Sequence, residues 1–305
     1  MAMLSANVAN AMDARISKAF YDYLGLYPEE YTNWCEVMSS GKDAERVTLY
    51  GELPMPALLG EYENAAETSF KEGPIRTWTH VKYGATLIAS EECLEDEQFP
   101  VVEGAAGKEG TAMKHRIETQ GAYNLNNAFT GVNVVGASDT ADEVLIATSH
   151  ATFLGAGGAA QSNRSSTDAT LGADSLWAAV VAMGNLKDHE GNPVMAIPRK
   201  LIIPTALERT AREILDSTLA PYKSTNESNA IRSKGLTFDI GHYLSSTTAW
   251  YVVTGQKPIR FYMRRSPTVK PDTTIRNDSR SWTITCRLSH APFDWYQIYG
   301  SDGVP

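Results

Sequence analysis

The side chains best able to bind a metal or attack a substrate are six histidines, His80, His115, His150, His189, His242 and His290, and three cysteines, Cys35, Cys93 and Cys286. They lie singly along the chain. No two histidines stand at metal-ligand spacing, no CxxC occurs, and an odd number of cysteines gives no disulfide framework. The histidines therefore read as hydrogen-bonded structural residues and the cysteines as buried thiols. The acidic run EECLEDEQF, with Glu91, Glu92, Glu95, Asp96 and Glu97, has no histidine beside it and reads as an exposed helical turn rather than a cation site. GxSxG, HExxH, P-loop and EF-hand patterns are absent from the sequence. A Ser, His and Asp triad assembled from distant positions stays open, as does a carboxylate pair among 36 acids. One loop, Gly155-Ala156-Gly157-Gly158-Ala159-Ala160, fits the dinucleotide fingerprint, which needs a strand before it and a helix after it to cradle a pyrophosphate. QSNRSSTDATLG follows instead of an apolar helix. A nucleotide-dependent enzyme is thus a weak alternative, and no catalytic, cofactor-binding or metal-binding residue is assigned.

Charge is distributed more tellingly than these groups are. The net charge is −9, which argues against a general affinity for nucleic acid, since phosphate binders rely on an excess of Lys and Arg. Residues 1–110 hold 19 acids against 8 bases. By contrast, 255–290 hold Lys257, Arg260, Arg264, Arg265, Lys270, Arg276, Arg280 and Arg287 against Asp272 and Asp278. Two solvated faces would account for this. The sharper expectation is that the acidic part of one copy meets the basic part of another. With 43% apolar residues over 305 positions, the chain can bury a substantial core and has room for about two domains at roughly 150 residues each. No apolar run approaches the roughly 20 residues of a membrane span, and the N-terminus lacks the features of a secretion signal, so a cytoplasmic site of synthesis and assembly and no membrane partner are expected.

The elements that would position these residues follow from periodicity. Val8, Met12, Ile16, Phe20 and Leu24 recur every four residues, giving an amphipathic helix in search of a partner surface. From 45 to 90, RVTLYGEL and IRTWTHVKYGATLI read as extended pieces of a long projecting hairpin. Ile75, Thr77, Thr79 and Val81 would face one way and Arg76, Trp78, His80 and Lys82 the other, so neither face is a core face. A helix is expected over about 106–129, with Gly131 breaking it, and a shorter one over 175–183 stopped by Gly184. KLIIP at 200–204 reads as a buried strand, and Thr205 with Glu208 as a capping box opening the next helix. Alternating strands LTFDI, AWYVVT, IRFYMR and SWTITC follow. A lone hairpin is marginal in water, and another copy would supply the surface it lacks.

The runs PRKLIIPTALERTAREILDS (198–217), AWYVVTGQKPIRFYMRR (249–265) and DWYQIYGSDG (294–303) resemble the Mu-like major capsid (head) proteins of tailed bacteriophages. Tyr83 to Glu97, NNAF and TSHATFLG belong to the likeness, which spans roughly 60–305, with 198–217 its most specific block. The resemblance implies an α+β fold of the Hong Kong 97 type, with N-terminal arm, extended hairpin loop (E-loop), peripheral (P) domain with a long spine helix, and axial (A) domain. Laid on this sequence, the arm is 1–44, the hairpin loop 45–88, the peripheral domain 89–135 and 251–305 with the spine helix at about 106–129, and the axial domain 136–250. It implies pentamers and hexamers of an icosahedral head around double-stranded DNA, with the hairpin loop of one subunit lying over its neighbour's peripheral domain. It further implies a separate scaffolding protein, a portal, a possible decoration protein, and weak, non-specific contact with the packaged DNA. Arg76, Trp78, Lys82, Arg260, Arg264 and Arg265 are the inter-subunit contacts expected from the charge map. Lys71 or Lys82 would be the crosslinking lysine in relatives that form one, but no matching motif supports a crosslink. An encapsulin-like cellular compartment of the same fold is the other alternative.

Overall fold

The computed structural model describes residues 5–50, 53–69, 72–90, 92–93, 99–130, 144–150, 161–188, 190–219, 228–274 and 279–304. The glycine loop 155–160, Lys71, His189, Gly131, most of the acidic run at 91–97 and the side chains of Val8 and Arg76 lie outside the described residues.

Helix α1 (Ser5–Leu24) buries Met12, Ile16 and Phe20, the stripe its four-residue spacing predicts. Its partner surface is in the same chain. Helix α2 (Phe99–Asn126) packs along it, with buried glycines Gly107 and Gly110 facing Tyr23 and the Phe20 backbone. A side chain at Gly110 would meet the backbone of α1 and hold the two helices apart. The helix thus begins seven residues before the expected 106. Pro100 falls in its first turn, where its missing N–H costs nothing, so it does not bar the helix.

Strands β1 (Cys35–Ser39), β2 (Ala44–Tyr50), β3 (Glu72–Thr79) and β4 (Val81–Ser90) lie between these helices. After α2 come α3 (Ala173–Gly184), β5 (Pro198–Ile203), α4 (Glu208–Asp216), β6 (Thr237–Ile240), β7 (Trp250–Thr254), β8 (Ile259–Thr274), β9 (Ser279–Pro292) and β10 (Ile298–Ser301). One four-stranded sheet has the order β1-β8-β9-β4, the other β10-β7-β5-β6, and β2-β3 form a separate ribbon. In the first sheet β9 pairs antiparallel with both β8 and β4, and β1 runs parallel to β8.

The second sheet is buried on both faces, which explains the solid apolar runs of its central strands. Ile202, Tyr251, Val253 and Ile298 face the core built on Phe20, Trp34, Ile117, Leu125, Phe261 and Ile284. Their neighbours Leu201, Ile203, Trp250, Val252 and Tyr299 face a second core with Leu176, Met183, Ala211 and Ile214. The two-residue period of a strand thus joins two compartments through one sheet.

Three expectations are corrected. The projecting ribbon ends at Thr79, because β4 pairs with β9 along Val81↔Leu288 to Ser90↔Ser279 and belongs to the first sheet, so 80–88 is not loop. The boundary at 251 cuts β7, and β10 returns from the C-terminus to pair with it, so the last strand does not stay with the β8–β9 hairpin. The capping box does not form. Thr205–Leu207 tighten into a 3₁₀ turn after Pro204, and Glu208 instead pairs with Arg212 at 2.9 Å, one turn along α4.

Candidate functional site

The ribbon β2–β3 is the part of the molecule without a core of its own. Its ladder runs from Ala44↔Thr79 to Thr48↔Ile75 and carries the tip, residues 53–69, every one of them exposed. What fixes its direction is the root. Trp78 is 0% exposed and packs on Tyr262, Phe293 and Val47, with ring centroids 5.6 Å from Tyr262 and 6.4 Å from Phe293. Expected as an inter-subunit contact, Trp78 is instead an internal anchor. Its packing gives the root of the ribbon the buried contact that a lone hairpin lacks.

His80 occupies the single position between β3 and β4. Its Nε2 lies 3.1 Å from Ser40 Oγ and its Nδ1 3.0 Å from Ser289 Oγ. Ser40 spends its only hydroxyl proton on Glu45 Oε1 at 2.7 Å, so it accepts from His80, which places the proton on Nε2 and leaves Nδ1 to accept from Ser289. Burial, then the nearby Arg264 and Arg287 guanidinium groups, holds the His80 pKa below its usual value, so the ring stays neutral. The ordered chain Glu45–Ser40–His80–Ser289 ties the ribbon to β9. Sequence reading missed it, because the two links made by His80 span 40 and 209 positions.

The basic residues of 255–290 are largely committed inside the subunit. The Arg260 guanidinium lies 3.3 Å above the Phe293 ring, with Nε 3.6 Å from Glu36. Arg264 donates to the Ser40 carbonyl at 3.3 Å and Arg265 to Thr285 Oγ1 at 2.7 Å. Arg280 grips Asp13 of α1 with two hydrogen bonds, and Trp282 Nε1 donates to the same carboxylate at 2.8 Å. Acidic and basic segments do meet, but at these contacts they meet within one chain. Lys82 is exposed on β4, opposite Arg287. The structure brings Trp78 and Arg260 together through Phe293, and Lys82, Arg264 and Arg265 to the adjoining sheet.

Other polar groups hold α2 in place. Glu118 accepts from the backbone of Glu30 and Tyr31 at 3.3 and 3.1 Å, and Lys114 reaches Glu29 at 3.2 Å and Glu118 at 3.6 Å. Burial outweighs these partners and raises the Glu118 pKa. His290, buried beneath the helix, is within 3.1 Å of Gln120 Oε1 and 3.2 Å of the Asn124 amide. Cys35 and Cys286 are buried free thiols and Cys93 is half-buried. Among the described residues no group of three His, Cys, Asp or Glu could hold a metal, and no helix is long and apolar enough to cross a membrane. The side chains converge on holding a lever and a long helix, an arrangement suited to assembly.

The sequence profile of one family, described as phage capsid protein, matches residues 75–301. The chain belongs to that family. Solved structures agree in fold across nearly the whole length. The capsid of Myoviridae phage XM1 superposes with a TM-score of 0.53 at 11% identity, covering 91% of this chain and 92% of that one. Mycobacterium phage Cain gives 0.52 at 13% identity over 90% and 89%, and the capsid of an empty GTA particle 0.50 at 13% over 90% of each. No curated protein matches in sequence. The fold is the Hong Kong 97 type, and the protein is a structural major capsid protein located in the virion shell and associating with itself. The family match does not favour the encapsulin-like alternative.

Proposed function

We propose that this capsid protein forms the pentamers and hexamers of an icosahedral head enclosing double-stranded DNA, with the β2–β3 ribbon of each subunit reaching over its neighbour. The observation that carries the reading is the ribbon itself, anchored rigidly by Trp78 and His80 at the root yet resting on nothing at its tip. A two-stranded ribbon ending in exposed Leu53, Met55, Leu58 and Leu59 gains stability only when a second copy covers it. We divide the subunit into an arm through residue 43, a ribbon at 44–79, a peripheral part comprising the first sheet with α2, and an axial part comprising the second sheet with α3 and α4.

Assembly takes place in the host cytoplasm with a separate scaffolding protein and a portal, and a decoration protein is compatible with the shell. The net charge of −9 suits a container that holds its genome loosely, since a negative lining repels phosphate within a Debye length of roughly 8 Å. Exposed Lys82 is the inter-subunit contact retained from the charge map, and Arg264 and Arg265 act at the ribbon root beside it. Electron microscopy of the purified chain, expressed with and without its scaffold, tests the reading. Closed round shells with five- and six-fold capsomers are expected, and a chain that stays monomeric under every ionic condition and scaffold ratio refutes it.

A further inference from the structure

The ribbon tip changes chemistry half-way along its length. The first half, Leu53-Pro54-Met55-Pro56-Ala57-Leu58-Leu59, is apolar and uncharged, with two alternating prolines that favour an extended backbone. The second half holds Glu61, Glu63 and Glu67 and no base. Leu58 is 98% exposed and Tyr62 99%, so the tip meets nothing of its own subunit.

A surface divided in the same way lies around β1. On one side of Val37 a groove of about 590 Å³ is walled mainly by Tyr21, Leu24, Tyr27, Met263 and Pro267, and its two charged residues, Glu29 and Lys114, pair with each other at 3.2 Å. On the other side, Val37 also borders a hollow of about 670 Å³ containing Lys257, Arg260 and Phe293. Tyr21, Tyr27 and Val37 are each nearly half exposed, so the groove is open. In the hollow, Lys257 Nζ is hydrogen-bonded to the Thr32 carbonyl and has no carboxylate partner among the described residues. Arg260 is stacked on Phe293 and paired with Glu36, so Lys257 is the cation of the hollow left to an incoming carboxylate. Of the two acids beside them, Glu36 faces Arg260, while Asp294 already accepts from Tyr296 N and Gln297 Nε2. Aromatic-lined grooves take extended proline-bearing segments well, because little backbone freedom is left to lose.

We propose that the tip of one subunit lies across β1 of a second copy, with residues 53–59 in the tyrosine-lined groove and the glutamates of 61–67 at Lys257. The proposal rests on the reading that each subunit reaches over a neighbour, and it names where the tip lands. The matching order of apolar and charged halves on both surfaces, joined at Val37, fixes the direction in which the segment runs.

The test uses full-length chain with Cys93→Ser. Leu58→Cys and Tyr27→Cys subunits are prepared separately, mixed, assembled and mildly oxidised. A disulfide-linked heterodimer joining positions 58 and 27 is expected at least about tenfold above a control pairing Leu58→Cys with Met195→Cys, another exposed position. In a second arm, Lys257→Glu lowers particle yield about tenfold and Glu63→Lys restores it, as expected of paired charges. Normal particles that crosslink no better at 27 than at 195, or a Lys257→Glu defect that Glu63→Lys deepens, overturn the landing site while leaving the assembly reading standing. Unmutated chain that forms no particles overturns both.

Discussion

Alanine at three glycines of one helix should give three different results. Gly104 is exposed on α2 with nothing within 4 Å of an added methyl, so Gly104→Ala gains only helix propensity, about 1 kcal/mol. For a chain of this length that raises Tm by about 2 °C. Gly110 has the same propensity to gain, but a methyl there runs into the Phe20 carbonyl oxygen, with Leu24 N at 3.2 Å and Phe20 C at 3.3 Å. Those atoms are backbone and cannot swing aside, so α1 must retreat by about 1 Å to restore ordinary contact distances of about 3.5–4 Å. Retreat loosens the packing of Ile16 and Phe20, both fully buried, and overpacking of this kind costs about 1–3 kcal/mol or more. After the propensity gain is subtracted, Gly110→Ala should destabilise by up to about 2 kcal/mol. Gly107→Ala should be close to neutral, since its methyl meets only the ring of Tyr23, a half-exposed side chain free to turn. Urea unfolding of unassembled subunits, followed by far-UV circular dichroism, measures all three. Equal stabilisation by Gly104→Ala and Gly110→Ala would refute the packing of α1 on α2 of its own subunit.

Trp78→Ala should destabilise the isolated subunit by about 3–5 kcal/mol, the usual cost of emptying a buried aromatic site; an unchanged urea midpoint would return Trp78 to the role of an inter-subunit contact. Burial lowers the His290 pKa to about 4 from the 6.5 of the unfolded chain, so below pH 6.5 the unfolded state takes up a proton that the folded state refuses. Stability should therefore fall as pH drops from about 6.5 to 4, by about 3 kcal/mol from this residue, and His290→Asn should remove that part of the slope in an unfolding series against pH. Asp13→Ala strands the Arg280 guanidinium and Trp282 Nε1, and a loss of about 2–3 kcal/mol is expected, with a shift below 0.5 kcal/mol counting against the two-pronged pairing. Limited proteolysis should cut free subunits within 53–69 and leave assembled particles intact there; equal cutting of both would show that the tip stays uncovered.

Local pattern was most legible where one residue type repeats at a fixed interval. The Met12, Ile16, Phe20 stripe predicted α1, and alternation predicted the strands of 236–292, because burial of one face writes its period into the sequence. Likeness at 198–217, 249–265 and 294–303 pointed to the fold, and the family match over 75–301 agrees. The assembly surface was harder to read. The charge map predicted contacts between copies, whereas Asp13 with Arg280 and Glu36 with Arg260 close within one chain. Sequence separation says nothing about which copy supplies a partner. Trp78 was misplaced because a strand face mixing Arg76, Trp78, His80 and Lys82 does not display the period of a core.

By itself, then, the order of residues determined most of the helices and strands, though not β1 or β10, together with the absence of recognisable catalytic motifs and the kinship with capsid proteins, since each rests on neighbours or on short contiguous runs. Only the tertiary structure decided that β4 joins the first sheet, that β10 returns to the second, and that Trp78 and His80 lock the ribbon. These depend on which distant strands share hydrogen bonds and on which large side chains must leave water together, and no local pattern encodes either.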